Sequence, residues 1–200
     1  MAFQYNETLP DARFPSYEPS AIITFTIEKL DAQALMVGSL AITGDIDPVE
    51  IRLPPHVGVH CFFESIQSTG ASFGTLENIQ AYNTTIGTKS SIQKPDATSA
   101  YYNMQHIVPN YTQGAQLRAQ RAGATSMPFV CIPQIALNRG SGAIPFEKTG
   151  AIRITLTLAS QNNSAMTTTA WSLKNLKLRY ITTRLNVLGM GAEQAMQPGS

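Results

Sequence analysis

Residues 151–159 have the sequence AIRITLTLA, in which apolar and polar side chains alternate without a break. The apolar positions are Ile152, Ile154, Leu156 and Leu158. Because successive side chains of a β-strand point to opposite faces of a sheet, this period of two predicts a strand with one buried face and one exposed face.

Six other stretches show the same alternation or a short apolar run, and turn-forming residues separate several of them. They are residues 21–30, 35–46, 49–53, 57–66, 129–132 and 171–183. In the last of these the alternation changes phase between Leu173 and Leu176, which predicts a bulge near Asn175. Several short strands at this spacing predict an all-β fold, an antiparallel sandwich or barrel.

Residues 75–85 depart from the strand pattern. Apolar residues recur there at helical spacing, at Leu76, Ile79, Tyr82 and Ile86. Thr75 is a residue type that caps helix N-termini, so we predict one short helix. Residues 113–122 (QGAQLRAQRA) have good helix propensity and predict a second helix. Because its apolar face is small, we expect this helix to lie on the surface of the sandwich. We expect residues 87–101 between them to form a loop.

The two ends of the chain differ from its middle. Residues 1–20 contain Pro10, Pro15 and Pro19, which exclude a helix and predict an extended N-terminal arm. The aromatic side chains of this arm need a surface, either the chain's own sandwich or a neighbouring subunit, and both alternatives stay open. Residues 21–184 form one predicted domain, and residues 185–200 have no pattern and predict a flexible tail.

The composition favours an assembling protein over a free monomer. Of the 200 residues, 43% are hydrophobic and only 14% charged, against about 25% charged in soluble domains. Much of the surface is therefore uncharged and polar, and burying it against a neighbour costs less than burying charges. The net charge is +1, so it provides no overall attraction to nucleic acid or to an anionic membrane.

Residue types that carry chemistry are sparse. Cys61 and Cys131 lie in apolar runs, where a buried free thiol is expected. The three histidines lack metal-ligand spacing, so we predict no metal and no cofactor. Asp45 and Asp47 offer two carboxylates to a calcium ion, but we favour the interpretation that they form a plain turn before Pro48. No nucleophile elbow is present, and we predict that the protein is not an enzyme.

A resemblance to a virus family comes from two stretches in the same order as in that family. Residues 58–66 (GVHCFFESI) and 76–83 (LENIQAYN) resemble the strand, turn and helix of the first jelly roll in double-jelly-roll major capsid proteins. These belong to the lineage of tailless icosahedral phages, adenoviruses and large DNA viruses. Later segments of this sequence are also similar to segments of those capsid proteins. They are residues 129–133 (FVCIP), 137–140 (LNRG), 143–145 (AIP), 152–156 (IRITL) and 173–180 (LKNLKLRY).

The resemblance implies a jelly-roll sandwich that assembles into an icosahedral shell and resides in the virion. That lineage carries two jelly rolls in tandem and this chain has room for one, so the resemblance implies a single-jelly-roll coat protein or a penton-like vertex protein. The implied partners are copies of itself, other capsid proteins, and an internal membrane or the genome, with no small-molecule substrate. Lys177 and Arg179 share a strand face that would suit genome or membrane contact, or is simply solvated.

Aromatic and arginine side chains are the usual anchors of protein interfaces. The candidates for subunit contacts are Phe3, Tyr5, Phe14, Tyr101, Tyr102, Tyr111, Arg118 and Arg121. The alternative function is a carbohydrate- or receptor-binding sandwich of the lectin or spike type, against which the presence of a single tryptophan, Trp171, argues. A cupin-type enzyme would need a histidine-rich metal triad, which three scattered histidines do not supply.

Overall fold

Two antiparallel β-sheets form the structure, a computed structural model that describes residues 3–49, 51, 53, 57–92, 123–161 and 170–184. The strands are β1 Phe3–Thr8, β2 Ile22–Ile27, β3 Gln33–Met36, β4 Ala41–Asp47, β5 Phe63–Gly70, β6 Gly74–Ile79, β7 Met127–Cys131, β8 Ala143–Pro145, β9 Ile152–Leu158 and β10 Ser172–Arg184. The helices are α1 Tyr82–Ile92 and α2 Phe146–Thr149, with short 3-10 turns at Gly58–Phe62 and Ala136–Asn138. No helix in these ranges is both long and apolar enough to cross a membrane.

The order of the strands is that of a jelly roll. Sheet A has the order β7-β4-β10-β3-β8, and sheet B has the order β2-β9-β5-β6. β1 lies on the side of β10 away from β3, because Thr183 pairs with both Phe3 and Ala34. The pairs β1–β10, β2–β9, β4–β7 and β5–β6 fold the chain back on itself in the jelly-roll manner. The all-β jelly-roll prediction is confirmed.

The core lies between the two sheets and is built by the alternating residues. In β9, all four predicted apolar side chains are at most 1% exposed, while the residues between them face outwards. Trp171 is buried at the start of β10 and packs edge to face on Phe62, with ring centroids 4.8 Å apart. Each such aromatic side chain contributes roughly 2–3 kcal/mol of burial free energy, so the core ties the two sheets together.

The predicted bulge in β10 is confirmed. The register against β4 shifts between Lys174 and Lys177, and Asn175 has a φ of +52°, in the left-handed region. Gly44 of β4 lies against the bulge, where an added Cβ would come within 2.7 Å of Leu176 Cδ2 and 2.8 Å of the Lys174 carbonyl oxygen. Only a glycine leaves room there for the bulged strand.

Several sequence predictions need correction. The predicted helix at residues 75–85 is instead β6 followed by α1, because Leu76 and Ile79 lie in an edge strand paired with β5. Ala81, with a φ of +48°, separates the two elements. Only Tyr82 and Ile86 of the predicted helical series lie in the helix, which continues to Ile92 into the predicted loop.

The strand predicted at residues 57–66 begins as a 3-10 turn, since Gly58 adopts a φ of +56° and β5 starts only at Phe63. The run predicted at residues 49–53 forms no strand in its described positions, although Val49 and Ile51 are buried. Residues 35–46 give two strands, β3 and β4, rather than one.

The N-terminal segment lies on the chain's own sandwich. β1 pairs with β10, and Tyr17 is 5% exposed and forms an isolated bridge with Leu173. The division into an arm, a domain and a tail stays a prediction. The predicted helix at residues 113–122 and the predicted tail at residues 185–200 lie outside the described residues.

Candidate assembly surfaces

The residues considered for catalysis or metal binding are engaged in structural contacts. The Asp47 carboxylate forms an ion pair with Lys174, and the Asp45 carboxylate accepts a hydrogen bond from Asn175 Nδ2 at 2.7 Å. Within the described ranges, no three His, Cys, Asp or Glu side chains are grouped so that they could hold a metal ion. The calcium candidate is therefore occupied by protein partners.

A buried polar cluster joins the two sheets at one end of the core. His60 Nδ1 lies 2.9 Å from the Tyr82 hydroxyl and 3.3 Å from Cys131 Sγ. The Gln134 backbone N–H donates to the same hydroxyl at 2.8 Å, so this hydroxyl accepts from Gln134 and donates to His60 Nδ1. His60 lies in the turn before β5 of sheet B and Cys131 ends β7 of sheet A, so the cluster fastens one sheet to the other.

The ionisation of this cluster follows from its burial. Burial first, and the charge of Lys89 second, lower the pKa of His60 from 6.5 to about 3. Burial raises the pKa of the Cys131 thiol, and burial together with the neighbouring Cys131 raises the pKa of the Cys61 thiol. Both thiols are buried and form no disulfide, as predicted. The cluster is therefore neutral at physiological pH, which suits its place inside the core.

The outer side of sheet A, called face A below, carries compensated charges. Its outward side chains are Phe3, Tyr5 and Glu7 of β1, Ala41, Thr43, Asp45 and Asp47 of β4, and Lys174, Lys177, Arg179 and Ile181 of β10. Glu7 lies 2.7 Å from Lys177 and 3.7 Å from Arg179. The hydrogen bond from Lys177, followed by the charges of the two cations, lowers the pKa of Glu7 despite some desolvation. Glu7 thus pairs with Lys177 and offsets part of the charge of the basic pair that the sequence placed on one face.

A depression of about 560 Å³ lies on face A where β1 meets β10. It is lined by Tyr5, Asn6, Glu7, Ser39, Arg179, Tyr180 and Ile181. Burial, and the charge of Glu28 after it, raise the pKa of Tyr180, so its hydroxyl stays protonated. Exposed Tyr5 beside Ile181 and a guanidinium gives an amphipathic rim of the kind that protein partners bind.

Three of the predicted contact residues lie in the described part of the chain, and all three are exposed. The exposed fractions are 50% for Phe3, 82% for Tyr5 and 61% for Phe14. Phe3 and Tyr5 come together on face A, whereas Phe14 stacks edge to face on Tyr17 with centroids 5.9 Å apart. The other five candidates, Tyr101, Tyr102, Tyr111, Arg118 and Arg121, lie outside the described residues. Contact with another subunit stays a prediction for all eight.

The two most exposed apolar side chains that the sequence analysis missed are Ile22 and Phe73. Ile22 is 68% exposed and Phe73 is 64% exposed, the latter in the turn between β5 and β6. The alternation of β2 contained the signal for Ile22, because this residue shares its phase with the outward Thr24 and Thr26. Phe73 lies in a turn, where an aromatic residue has no core to enter.

The outer side of sheet B, called face B below, is polar but nearly without charge. Its outward side chains are Ile22, Thr24 and Thr26 of β2, Arg153, Thr155 and Thr157 of β9, Ser65, Gln67 and Thr69 of β5, and Thr75 and Asn78 of β6. Arg153 is the one charged member of this set. The Thr24 and Thr155 hydroxyl oxygens are 3.3 Å apart and hydrogen-bonded across the strands.

Comparison with solved structures identifies the fold. A quasi-atomic model of the PBCV-1 virus capsid superposes with a TM-score of 0.53 and 10% sequence identity, over 90% of this chain and 42% of that chain. The fold is that of a virus capsid protein. The crystal structure of the STIV MCP gives 0.48 and 9% identity over 96% of this chain and 52% of that one. The Sputnik virophage structure superposes with a TM-score of 0.47 and 10% sequence identity, over 90% of this chain and 47% of that chain.

The chain thus spans less than half of the PBCV-1 capsid chain that it resembles. No protein-family profile matches the sequence, and no curated protein matches it either. At 10% identity the likeness is one of architecture, and it agrees with the strand pairing of the jelly roll described above.

Proposed function

We propose that the chain is a structural subunit of a virus coat, which assembles with copies of itself and resides in the virion. The observation that carries this proposal is the jelly-roll topology shared with a virus capsid protein over 90% of the chain at a TM-score of 0.53. Because one fold supports many functions, the surface must support the same role.

The two outer faces support an assembling protein. Face A presents exposed Phe3 and Tyr5 beside ion pairs that are already satisfied within the chain. Face B presents hydroxyls, amides and exposed Ile22, with Arg153 as its one charged strand residue and the Asp11 carboxylate bonded to the Thr26 hydroxyl. A neighbour that covers either face would bury few uncompensated charges, which lowers the cost of removing the surface from water. This role is structural and involves no catalytic step.

The finer partners follow from the same surface. Copies of the chain and other coat proteins are the proposed partners, whereas the compensation of Lys177 and Arg179 by Glu7 argues against genome or membrane contact through this face. The carbohydrate-binding alternative gains no support from Trp171, because this ring is 2% exposed and packs in the core. Imaging of the assembled particle distinguishes a subunit of the shell's faces from one of its vertices.

Assembly is tested directly on the purified chain by sedimentation velocity over rising concentration and by negative-stain microscopy. We expect capsomers, sheets or shells, and weaker assembly for the Phe3→Ser, Tyr5→Ser double variant, because exposed aromatic anchors dominate interface energies. Lys148→Ser on α2 is the matched control and should assemble like the parent protein. A strictly monomeric parent protein at every concentration would contradict the proposal.

A further inference from the structure

We propose that β1 is a strand-pairing edge, which joins β1 of a second copy of this chain about a two-fold axis through Tyr5. The two strands run antiparallel and make sheet A continuous across both copies. The inference rests on the proposed coat function and names the element through which one subunit contact forms. It is carried by the open edge of β1, by the direction of its backbone groups and by the pairs that its side chains make.

Other edge strands of the sandwich are protected against pairing with a further strand. β7 contains Pro128 and β8 contains Pro145, and a proline has no N–H to donate to a neighbouring strand. β6 has a register shift against β5, and its Glu77, opposite buried Ser68, points inwards and accepts from the Ala136 N–H. Prolines, bulges and inward charges are devices by which natural sheets block their edges.

The edge of β2 is covered by the segment that connects it to β1. The Asp11 N–H donates to the Thr24 carbonyl at 2.8 Å, and the Asp11 carboxylate accepts from the Thr26 N–H at 3.2 Å. The Thr8 hydroxyl donates to the Thr26 carbonyl at 3.3 Å. These bonds occupy edge groups of β2 that another strand would need for pairing.

β1 has none of these devices in its described residues. Its six residues include no proline and no lysine, and its register against β10 runs without a shift. Among the described strands β1 pairs with β10 alone, so its other edge is open. Gln4 is exposed although it points away from face A, so sheet B does not cover this corner. Because an open edge is a template for another strand, the protection of the other edges singles out β1.

The backbone groups that β1 turns towards its open edge are those of Phe3, Tyr5 and Glu7. The Ile181 N–H donates at 3.1 Å to the hydroxyl of Ser39, which lies between β3 and β4 on the side of β10 away from β1. Ile181 therefore turns its backbone groups away from its partner Tyr5, and the two form a non-hydrogen-bonded pair. Tyr5 accordingly presents its own N–H and carbonyl to the open edge, and Phe3 and Glu7 do so at the alternate positions.

The register of the new pair follows from these groups. Only residues that point their groups to the open edge can exchange bonds across it, so Phe3, Tyr5 and Glu7 of the two copies must face one another. With Tyr5 on the axis, Tyr5 faces Tyr5 of the second copy, and each Phe3 faces a Glu7. Every such pair exchanges two backbone bonds, about six in all. A register shifted by one residue forms no such pair, and longer shifts leave fewer pairs within β1.

The outward side chains fit this register. Residues that face each other across strands lie on the same face of a sheet, so the exposed Tyr5 rings become cross-strand neighbours, and aromatic pairs of this kind stabilise sheets. The two Glu7 carboxylates lie four residues apart along the strands, roughly 13 Å, beyond the screening length of about 8 Å at physiological salt. Each is also paired with Lys177 of its own chain. The contact therefore brings no like charges together.

A disulfide tests both the pairing and its register, and it traps a contact that is too small to be stable alone. Hydrogen-bonded antiparallel neighbours have Cα atoms about 5.5 Å apart, within the roughly 4.4–6.8 Å that a disulfide spans. Tyr5→Cys should therefore link directly to its mate when oxidised glutathione is the oxidant. Gln4→Cys is the matched control, an exposed position on the same strand whose mate lies diagonally at roughly 7–8 Å. Cys61 and Cys131 are buried in both variants.

We expect roughly tenfold more disulfide-linked dimer from Tyr5→Cys than from Gln4→Cys, since pairing raises the local concentration of facing thiols. Non-reducing electrophoresis of the purified full chain measures the yield. Equal yields, or a higher yield from Gln4→Cys, would overturn the proposed pairing, as would a Tyr5 thiol that links only to a different protein.

A proline variant separates backbone pairing from the loss of the aromatic ring. Tyr5→Pro and Tyr5→Ser both remove the ring, but only proline removes the N–H, which β10 does not use. By sedimentation velocity, Tyr5→Pro should associate roughly tenfold more weakly than Tyr5→Ser, with a similar unfolding midpoint. Equal association of the two variants would contradict the pairing, and the cysteine variants test it without a proline in the strand.

The same variants distinguish this contact from the coat function. Particles that Tyr5→Pro forms as readily as the parent protein refute the β1 pairing and leave the coat function standing. A Tyr5-linked dimer without any larger assembly of the parent protein refutes the coat function and leaves the pairing standing.

Discussion

Face A and face B follow the same alternation of outward side chains, but their chemistry differs. On face A, Glu7 holds Lys177 and Arg179, and Asp47 holds Lys174. On face B, the Thr24 and Thr155 hydroxyls bond to each other, and the Asp11 carboxylate accepts from the Thr26 hydroxyl. Arg153 is the one charged residue among the outward strand side chains. Sheet A is thus fastened by side chains across its face, whereas sheet B is fastened at its edge by Asp11. Alternation decides which residues point outwards, and strand register decides what they meet.

Acidification should have the largest effect on stability, because it acts on the His60 cluster that joins the two sheets. The folded-state pKa of His60, about 3, lies below its ordinary value of 6.5, so the unfolded chain binds a proton that the folded chain excludes. The stability that depends on a neutral His60 is fully present above pH 6.5. As the pH falls below this value, the free energy of unfolding decreases by about 1.4 kcal/mol per pH unit, or roughly 3 kcal/mol by pH 4.5. Denaturant unfolding at a series of pH values measures the slope.

The control for this prediction is His60→Gln, which keeps an acceptor for the Tyr82 hydroxyl but does not titrate. Between pH 6.5 and 4.5, the free energy of unfolding of this variant should fall less steeply than that of the parent protein. The difference in slope corresponds to one bound proton per molecule. Parallel curves for the two proteins would show that the junction between the sheets does not depend on a neutral His60.

Gly44→Ala should damage sheet A and leave sheet B unchanged. The added methyl group would meet Leu176 and the Lys174 carbonyl at under 3 Å, and overpacking of this kind costs about 1–3 kcal/mol. Thermal or denaturant unfolding measures the loss, with Thr43→Ala at the preceding position as the control. An unchanged midpoint for Gly44→Ala would mean that the bulge in β10 moves freely to make room.

Asp11→Ala should loosen the edge of sheet B. The variant loses hydrogen bonds from the Thr26 N–H and hydroxyl to the carboxylate, for a cost of about 1 kcal/mol. Hydrogen exchange at the Thr26 amide should quicken more than exchange at the Phe25 amide beside it. Asp11→Asn retains an acceptor and should exchange more slowly than the alanine variant, and identical rates for all three proteins would contradict this role of Asp11.

Glu7→Gln should have the smallest effect on stability, because exposed ion pairs are screened by water and salt. The pKa of Glu7 is lowered in the folded chain, so its favourable interaction with Lys177 and Arg179 is present above pH 4.5, the ordinary pKa of a glutamate, and is lost as the pH falls. Removal of the carboxylate leaves Lys177 and Arg179 uncompensated on face A. We therefore expect an almost unchanged unfolding midpoint but self-association that is more sensitive to salt, measured by sedimentation at low and high ionic strength.

The alternation of residues predicted most of the strands, because a period of two has one simple structural solution. β9 and β10 follow their predicted ranges closely, and the phase change at Leu173 to Leu176 located the bulge. The edge strand β6 escaped detection, since its residues are largely exposed and Leu76 with Ile79 also fits helical spacing. The turn at Gly58 has a positive φ, which the apolar run around it conceals.

The candidate surfaces were harder to predict than the fold. Tyr5 was named from its residue type, and its exposure agrees, but its place beside Ile181 depends on pairing with a strand at the other end of the sequence. The compensation of Lys177 by Glu7 has the same origin. Face B was not foreseen at all, because four separate stretches contribute to it and none is distinctive alone.

The pairing of β1 with β10 has a consequence for biosynthesis. Phe3 pairs with Thr183, so β1 finds its partner strand only after the long stretch of chain between them has been synthesised. Long-range pairing of this kind makes folding slow. Face A, which needs both strands, therefore forms only after β10 has left the ribosome, and a nascent chain lacks that surface until then.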